Sequence, residues 1–369
     1  MTAALRTAKV LELMTASSNR PTAVLFTDLT DIRWLTGFTG SSAWLLVRQG
    51  EQFLFTDGRY VEQADRELRA HQSSATVIEC RSASAMVAAL SRVVRPDDRV
   101  WFQSTHVTVS SHASLTSALA CTLEAAPSDL SRIRRIKDDG EIANIERACR
   151  IADTALAECV RFIGSGCTER DLRDELDHRM RRLGADGPSY DTIVATGPSN
   201  SAMPHHRPDA TVIESGHSLV IDVGALVDGY HSDMTRSFLV GDASPDLTAM
   251  YDLVLESHLA GLSHVRAGVP VAEVHAACHE VFAAAGMAEY FVHGTGHGVG
   301  LVIHEEPFVN SVSDAVLQAG DVVTVEPGLY RVGLGGIRVE DLVVVTDTGC
   351  RPLNISAKEP TCPPSPPTT

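Results

Sequence analysis

Two aspartates flank a predicted β-hairpin in the middle of the chain. Asp222 ends an apolar strand, the chain turns between Val227 and Gly229, and a second strand carries Asp233. With a two-residue loop at either Val227-Asp228 or Asp228-Gly229, position 222 lies opposite 233 or diagonal to it, so both carboxylates face one side of the sheet. Exposed strand aspartates are the alternative, but two on a half-buried face would repel each other unless a cation joined them.

A second segment, YFVHGTGHGVGLVIHEEP, alternates histidines with glycines. It places His293, His297 and His304 within twelve positions. Neutral imidazole is the commonest nitrogen ligand for transition metals, and glycine allows a backbone to pass close to a site. A single histidine here would be interpreted as a core residue, whereas three among four glycines favour a functional site.

Two glutamates lie in otherwise apolar predicted strands. Glu326 stands in VVTVEPGLY and Glu340 in GGIRVEDLVVV. A buried glutamate is costly unless it is paired or bound to metal. Arg338 lies on the same strand face as Glu340, so a plain salt bridge is the alternative for Glu340. That alternative leaves Glu326 unexplained.

Together these segments supply four carboxylates and one imidazole, from Asp222, Asp233, His297, Glu326 and Glu340. Two divalent cations would neutralise four negative charges. An oxygen-rich set with one nitrogen suits Mn²⁺, Co²⁺, Fe²⁺ or Zn²⁺ better than a thiophilic ion. Paired metals can lower the pKa of a shared water and make hydroxide available at neutral pH, so the expected chemistry is hydrolysis.

The elements before this region predict a separate α/β domain over residues 1–132. Strand-like runs AVLFTD, AWLLV and QFLFTDG lie between Ala23 and Phe55, and shorter ones follow at Val77 to Glu79 and Arg99 to Phe102. Helical stretches alternate with them, which is typical of an α/β domain. The basic run RIRRIKDD is interpreted as a linker and the entry to a long helix.

Residues 133–357 predict an internally duplicated α+β domain. An amphipathic helix is followed by a T-x-x-D capping pattern at Thr168 and a helix with Leu172, Leu176 and Leu183 inward. The layout returns 102 residues later, with Val274 in the place of Leu172. Chance similarity of two amphipathic helix pairs is the alternative. The Pro-rich residues 358–369 predict a disordered tail.

The composition excludes several classes of protein. The 369 residues carry 31 basic and 47 acidic side chains, a net charge of −16, which argues against a nucleic-acid partner. No run approaches the length of a membrane span, and the N-terminus lacks signal-peptide features. The eight cysteines form no C-x-x-C motif and are expected to be reduced, so a cytoplasmic protein is predicted.

The motifs resemble a known family. An Asp, a second Asp eleven positions later, the His of HGTGHGVG, the Glu of VEPG and the Glu of IRVED follow the order of the pita-bread metallopeptidases of the aminopeptidase P and prolidase branch. DLTDIRWLTGFTGSSAWLLV with LFTDGRYVEQA resembles the small creatinase-like N-terminal domain of Xaa-Pro peptidases. The resemblance implies an α+β pita-bread catalytic domain with a pseudo-two-fold duplication, preceded by a smaller α/β domain, in a homodimer.

The resemblance also implies roles for the metal-binding residues. Asp222 would chelate one metal ion, Asp233 and Glu340 would bridge two, and His297 with Glu326 would complete the second site. Glu326 would also shuttle a proton from the attacking water to the leaving nitrogen. Manganese is the expected metal, with cobalt or zinc as alternatives.

Further residues would contact the substrate. His205, in GPSNSAMPHHRP, matches the family's substrate-facing histidine, and the adjacent His206 is the alternative. His304 would stabilise the oxyanion, and His293 would line the pocket near the proline. Arg338 would orient Glu340 or contact the substrate.

The predicted function is hydrolysis of the Xaa-Pro bond at the N-terminus of short proline-containing peptides. A dipeptidase and an aminopeptidase for longer peptides both fit. A dipeptidase recognises a nearby free carboxylate, often with an arginine, for which Arg207, Arg331 and Arg338 are candidates. A catalytically inactive pita-bread binding or scaffold protein is the alternative outside enzymes, and it predicts no bound metal.

Overall fold

The computed structural model describes residues 1–163 and 166–361. The chain divides into two compact units, Met1–Arg134 and Arg135–Thr369. This division falls two residues beyond the predicted end of the first domain at residue 132.

The N-terminal unit is built on a six-stranded mixed sheet with the strand order β4-β3-β2-β1-β5-β6. The central strands β1 to β3 are antiparallel neighbours, while β4, β5 and β6 each join in parallel. Every strand that the sequence predicted here is confirmed. The elements are α1 Ala3–Ala16, β1 Ala23–Phe26, α2 Leu29–Thr36, β2 Ala43–Arg48, β3 Glu51–Thr56, α3 Val61–Ala70, β4 Thr76–Glu79, α4 Ala83–Val93, β5 Arg99–Phe102, α5 Val109–Ala118 and β6 Thr122–Ala125.

The second unit contains two helix pairs and several small antiparallel sheets. Its helices are α6 Asp139–Cys159, α7 Glu169–Arg182, α8 Gly197–Asn200, α9 Pro245–His264 and α10 Val271–Ala284. Its strands are β7 Gly187–Pro188, β8 Ile193–Thr196, β9 Ser218–Asp222, β10 Ala225–Val227, β11 Tyr230–His231, β12 Thr235–Leu239, β13 Gly296–Gly298, β14 Glu305–Val309, β15 Val322–Val325, β16 Gly328–Arg331, β17 Gly335–Arg338, β18 Asp341–Val345 and β19 Cys350–Pro352. No helix within the described ranges has both the length and the apolar character that crossing a bilayer requires.

The helix pairs follow the predicted duplication. Helices α7 and α10 each have 14 residues, and both their ends are 102 residues apart. Thr168 and Asp171 form the predicted reciprocal cap of α7. Leu183 is not inward as predicted: it is 39% exposed because the helix ends at Arg182, and Met180 fills the inward position instead.

The predicted hairpin is confirmed, with the two carboxylates in diagonal register. Val227 pairs with Tyr230, so the loop is Asp228-Gly229, and both loop residues have positive φ, 53° and 74°. That geometry is typical of a type I′ turn. Further along the same hairpin, Asp222 pairs with Thr235, two residues beyond Asp233.

The first residues of the predicted tail are ordered. Lys358 Nζ lies 2.6 Å from Asp341 Oδ2, and the amide of Leu239 donates to the carbonyl of Pro360 at 2.6 Å. Thr361 forms a parallel bridge with Leu239. The prediction of disorder from residue 358 is therefore wrong for residues 358–361, because the second unit supplies partners that composition does not reveal. Residues 362–369 lie outside the described residues.

We expect two buried thiols to resist alkylation in the native protein. Burial raises the pKa of both Cys159 and Cys278 to about 12, and both side chains are fully buried. Because the thiolate is the reacting species, neither should react with a thiol reagent at pH 8 until the unit unfolds. Mass spectrometry of labelled peptides, with urea-unfolded protein as the control, measures this. Rapid labelling of either residue in native protein contradicts the expectation.

Candidate metal centre and active site

A cavity of about 590 Å³ in the second unit collects nine of the ten predicted site residues. We call it the central cavity. The nine are His205, Asp222, Asp233, His293, His297, His304, Glu326, Arg338 and Glu340. His206 does not line it.

β-Strands and the residues next to them position the five candidate metal ligands. Asp222 is the last residue of β9, and Asp233 lies between β11 and β12. His297 is the central residue of β13, Glu326 directly follows β15, and Glu340 directly precedes β18. Both halves of the duplicated unit therefore contribute, with two aspartates from the first and three ligands from the second.

The five side chains lie close together. One carboxylate oxygen from each of Asp222, Asp233 and Glu340 lies within 4.8 Å of the others. His297 Nε2 is 3.5 Å from Asp233 Oδ2 and 3.5 Å from Glu326 Oε1. The alternative of separate exposed aspartates is thus excluded, since Asp233 is 5% exposed and Glu340 1% exposed.

The electrostatics of this group fit divalent cations. Burial and the charge of Asp222 raise the pKa of Asp233 well above its usual range, and burial and Asp233 do the same to the pKa of Glu340. Glu340 Oε1 is buried without a hydrogen-bond partner among the described residues. A buried carboxylate oxygen without a partner, close to other buried carboxylates, raises the free energy of the folded state. A bound cation at that point would lower it.

Arg338 is held within the ligand group. Its Nη2 donates to Asp222 Oδ2 at 2.6 Å, and its Nε donates to Thr235 Oγ1 at 2.9 Å. The Thr235 hydroxyl in turn donates to Glu340 Oε2 at 2.7 Å. Arg338 therefore contacts Asp222 directly and reaches Glu340 through Thr235, so the plain Arg338–Glu340 salt bridge considered from the sequence is absent among the described contacts.

Three predicted histidines line the cavity around the ligands. The rings of His297 and His304 are 4.4 Å apart, and His293 Nε2 is 2.9 Å from the hydroxyl of Tyr330. Burial lowers the pKa of His293, and burial with the neighbouring His297 lowers the pKa of His304. Both rings are therefore neutral at pH 7 and can donate one hydrogen bond each.

The structure separates the adjacent histidines 205 and 206. His205 is exposed and lines the central cavity, whereas His206 is buried with Nε2 2.7 Å from Glu169 Oε2. Glu169 is fully buried and also accepts the amides of Thr196 and Asp209. The placement of His206 as a substrate-facing residue of this cavity is corrected, because its ring is held by a partner 37 positions away in the sequence.

Two glycines of the histidine segment are required by close packing. A Cβ atom on Gly296 would lie 2.1 Å from the carbonyl oxygen of Thr324, and one on Gly298 would lie 2.4 Å from that of Glu306. These contacts flank His297 on β13. The glycines thus allow β13 to pass close to its neighbours and bring His297 to the ligand group.

Tyr190 is a site residue that the sequence did not reveal. Its hydroxyl lies 2.5 Å from both Asp222 Oδ1 and Asp233 Oδ1. Burial and the charge of Asp222 raise its pKa well above the usual range, so the hydroxyl keeps its single proton and can donate to one carboxylate at a time. A lone tyrosine ahead of β8 carries no sequence signal for this role.

We expect Tyr190→Phe to lower metal affinity or kcat/KM by about 10- to 100-fold, as is usual for partners that orient metal ligands. Metal titration and steady-state kinetics measure the effect. Tyr251→Phe is the matched control, since the Tyr251 hydroxyl is buried without a partner among the described residues. Equal metal affinity and equal kcat/KM in both variants would show that Tyr190 does not support the metal ligands.

Comparisons with known proteins agree with this geometry. The model of metallopeptidase family M24 matches residues 143–347, and the creatinase/prolidase N-terminal domain matches residues 6–136. This chain belongs to metallopeptidase family M24. It is 35% identical to the Uncharacterized peptidase YqhT of Bacillus subtilis strain 168, over 91% of this chain and 94% of that protein.

Two solved structures are similar to this chain over nearly its whole length. The Xaa-Pro dipeptidase from Bacillus anthracis superposes with a TM-score of 0.90 at 34% identity, covering 96% of this chain and 99% of that one. The X-Pro aminopeptidase from Thermotoga maritima MSB8 gives 0.86 at 30% identity, with the same coverage. The predicted family, fold class and metallopeptidase activity are thereby confirmed, and membership of M24 implies divalent metal ions.

Proposed function

We propose that this M24 enzyme is a two-metal exopeptidase that cleaves the Xaa-Pro bond at the N-terminus of peptides. The observation that carries the proposal is the convergence of four carboxylates and His297 in the central cavity, with Glu340 Oε1 lacking a partner among the described residues. We further propose that Asp222, Asp233, His297, Glu326 and Glu340 hold the metals, with Mn²⁺ as the native ion and Co²⁺ or Zn²⁺ as alternatives.

The chain's own residues supply the proton transfers and the orientation of the substrate. Bound divalent ions would polarise the scissile carbonyl and activate water. Glu326, 19% exposed at its side chain, faces the cavity and can accept a proton and return it to the leaving nitrogen. Neutral His304 can donate to the developing oxyanion, and His205, which also lines the cavity, can hold the substrate amide.

The remaining cavity wall suits a proline ring. Val292 is 62% exposed and Phe308 is 40% exposed, and both line the central cavity beside His293. Exposed apolar side chains at a cavity favour an apolar substrate group. These contacts support a pocket for proline, and the names of the dipeptidase and aminopeptidase of like fold support the same substrate class.

Metal depletion and reconstitution test the proposal. We expect chelated protein to lose hydrolysis of Xaa-Pro substrates and to regain it with Mn²⁺, Co²⁺ or Zn²⁺ at up to two ions per chain. An Xaa-Ala substrate is the control for proline preference. Full activity in metal-free protein, verified by elemental analysis, contradicts the proposal, as does efficient cleavage of Xaa-Ala with none of Xaa-Pro.

Assembly and location are separate proposals. We infer a homodimer from the family resemblance, which analytical ultracentrifugation tests. The seven free cysteines in the described part of the chain support a reducing compartment, and hence the cytoplasm. Fractionation of cells that make the protein tests that location.

A further inference from the structure

The C-terminal segment, residues 353–361, contacts both halves of the second unit. It follows the last residue that the M24 family model matches. On the second half, the amide of Leu342 in β18 donates to Asn354 Oδ1 at 2.8 Å. On the first half, the amide of Ser356 donates to Asp153 Oδ1 in α6 at 3.0 Å. The segment therefore links α6 to β18, the strand that directly follows the candidate metal ligand at position 340.

Arg236 lies between the C-terminal segment and Glu340. Its Nη2 donates to the carbonyl of Ser356 at 2.8 Å, and its Nη1 donates to the carbonyls of Thr235 and Glu340. The amide of Glu340 donates in turn to the carbonyl of Thr235 at 3.1 Å. Both backbone groups of Glu340 therefore have partners, and one of these partners also contacts the C-terminal segment.

The carboxylate of Asp341 binds Arg236 and also Lys358 of the C-terminal segment. It is fully buried, and its Oδ1 accepts a hydrogen bond from Arg236 Nη2 at 2.8 Å. Its Oδ2 lies 2.6 Å from Lys358 Nζ and 3.2 Å from His258 Nε2. The two carboxylate oxygens therefore have separate partners, and Lys358 occupies the oxygen that Arg236 does not use.

Lys358 also matters for the charge of this group. Burial lowers the pKa of His258, so its ring is neutral at pH 7. The positive charges beside Asp341 therefore come from Arg236, which is 1% exposed, and from Lys358, whose side chain is 25% exposed. Without Lys358, one carboxylate oxygen would keep only a neutral histidine as its partner, and Arg236 would be the single remaining cation of the group.

Loss of the Lys358 ammonium would change the hydrogen bonds of Arg236. The five N–H groups of its guanidinium are all in use, for Asp341 and for the three carbonyl groups of residues 235, 340 and 356. A guanidinium and a carboxylate favour two parallel hydrogen bonds when both oxygens are available. A second bond from Arg236 to Asp341 would take an N–H group from a carbonyl. Lys358 thus keeps Arg236 Nη1 directed at Glu340.

We propose that Lys358 is a positioning residue of the metal centre, which acts through Asp341 and Arg236 to hold Glu340 in the orientation that binds metal. The inference rests on the proposed function, in which Glu340 is a metal ligand. Lys358 is not among the residues that line the central cavity, so it acts without contact to the metal or the substrate. The C-terminal segment is then part of the support of the metal centre.

Calorimetric titration of chelator-treated full-length protein with Mn²⁺ tests the proposal. We expect K358M to weaken the binding of at least one ion by about 10- to 100-fold, as is usual for residues that orient metal ligands. K358R, which keeps a cation beside Asp341, should restore most of the affinity. R351Q is the matched control, since it removes one positive charge from β19 at a side chain that is 53% exposed, and it should bind Mn²⁺ like the wild type.

A double-mutant cycle with D341N separates positioning from a general loss of stability. In the D341N background, K358M should change the affinity for Mn²⁺ by less than about two-fold, because the path from Lys358 to Glu340 is already broken. Urea unfolding in the presence of a chelator measures the stability of each variant without metal. KM for an Xaa-Pro substrate at saturating Mn²⁺ should stay at the wild-type value in K358M.

Several outcomes overturn the proposal. They are wild-type affinity for Mn²⁺ in K358M, an equal loss of affinity in R351Q, affinity in K358R as low as in K358M, and full additivity of K358M with D341N. Wild-type protein that binds no metal, or a Glu340→Gln variant with unchanged metal content, would instead contradict the proposed function.

Discussion

Glu340→Gln is expected to lower kcat/KM on Xaa-Pro peptides by roughly a thousand-fold or more, because metal polarisation supplies several kcal/mol of transition-state stabilisation. The glutamine keeps the shape of the side chain and its hydrogen bond with Thr235. It removes the charge and replaces a carboxylate oxygen in the group shared with Asp222 and Asp233. The loss should therefore reflect metal binding, with little change of fold.

Two measurements separate that explanation from misfolding. Wild-type protein should gain thermal stability when metal is added after chelation, and the variant should gain less, since at one metal concentration a ligand that binds more weakly stabilises the folded state less. Elemental analysis should show fewer than two ions per chain. Glu280→Gln, on the exposed surface of α10, is the matched control and should behave as wild type. A variant that keeps full activity and full metal content would remove Glu340 from the ligand set.

Arg236→Leu is expected to lower the free energy of unfolding by about 3–5 kcal/mol, because it removes one member of a buried ionic network. Asp341 would keep only Lys358 and His258, and three buried carbonyl oxygens would lose a donor. Arg236 is 1% exposed and its Nη2 donates to Asp341 Oδ1 at 2.8 Å. It also donates to the carbonyls of Thr235, Glu340 and Ser356. Burial alone would raise the pKa of Asp341, but His258 and Arg236 outweigh it and hold the pKa below its usual range.

Urea unfolding in the presence of a chelator measures this loss without the contribution of metal binding. Arg351→Leu is the control: Arg351 pairs with Glu146 at 2.5 Å, but its side chain is 53% exposed. Exposed pairs contribute about 0–1 kcal/mol, so the control should lose much less stability. Similar losses for both variants would show that the buried network does not stabilise the unit.

Local patterns in the sequence predicted the parts of the site that lie near each other in the chain. The hairpin between Asp222 and Asp233 follows from strand alternation and a two-residue turn, and both are short-range properties. The 102-residue spacing of helices α7 and α10 could also be predicted, because the amphipathic pattern of the first helix pair repeats in the second. The grouping of His297, Glu326 and Glu340 with the two aspartates was predicted from the cost of burying carboxylates and the chemistry of metal ligands, and the family resemblance supplied the role of each residue.

Distant contacts made by residues outside the metal-ligand motifs could not be predicted. Tyr190 reaches its two carboxylates across 32 and 43 positions, and Glu169 reaches His206 across 37. Such contacts depend on how elements pack, and the residues themselves occupy unremarkable local sequence. The order of residues 358–361 also depends on distant contacts. Their proline-rich composition predicts disorder, but in the folded protein Lys358 pairs with the buried Asp341.

The origin of the ligands in two halves links metal binding to cooperativity. Asp222 and Asp233 precede α9, whereas His297, Glu326 and Glu340 follow it. An isolated first half would offer the two aspartates without His297 or either glutamate, and an isolated second half would lack both aspartates. Metal affinity therefore depends on whether the two halves are packed together. Amide hydrogen exchange in both halves should slow when metal binds to the five ligands.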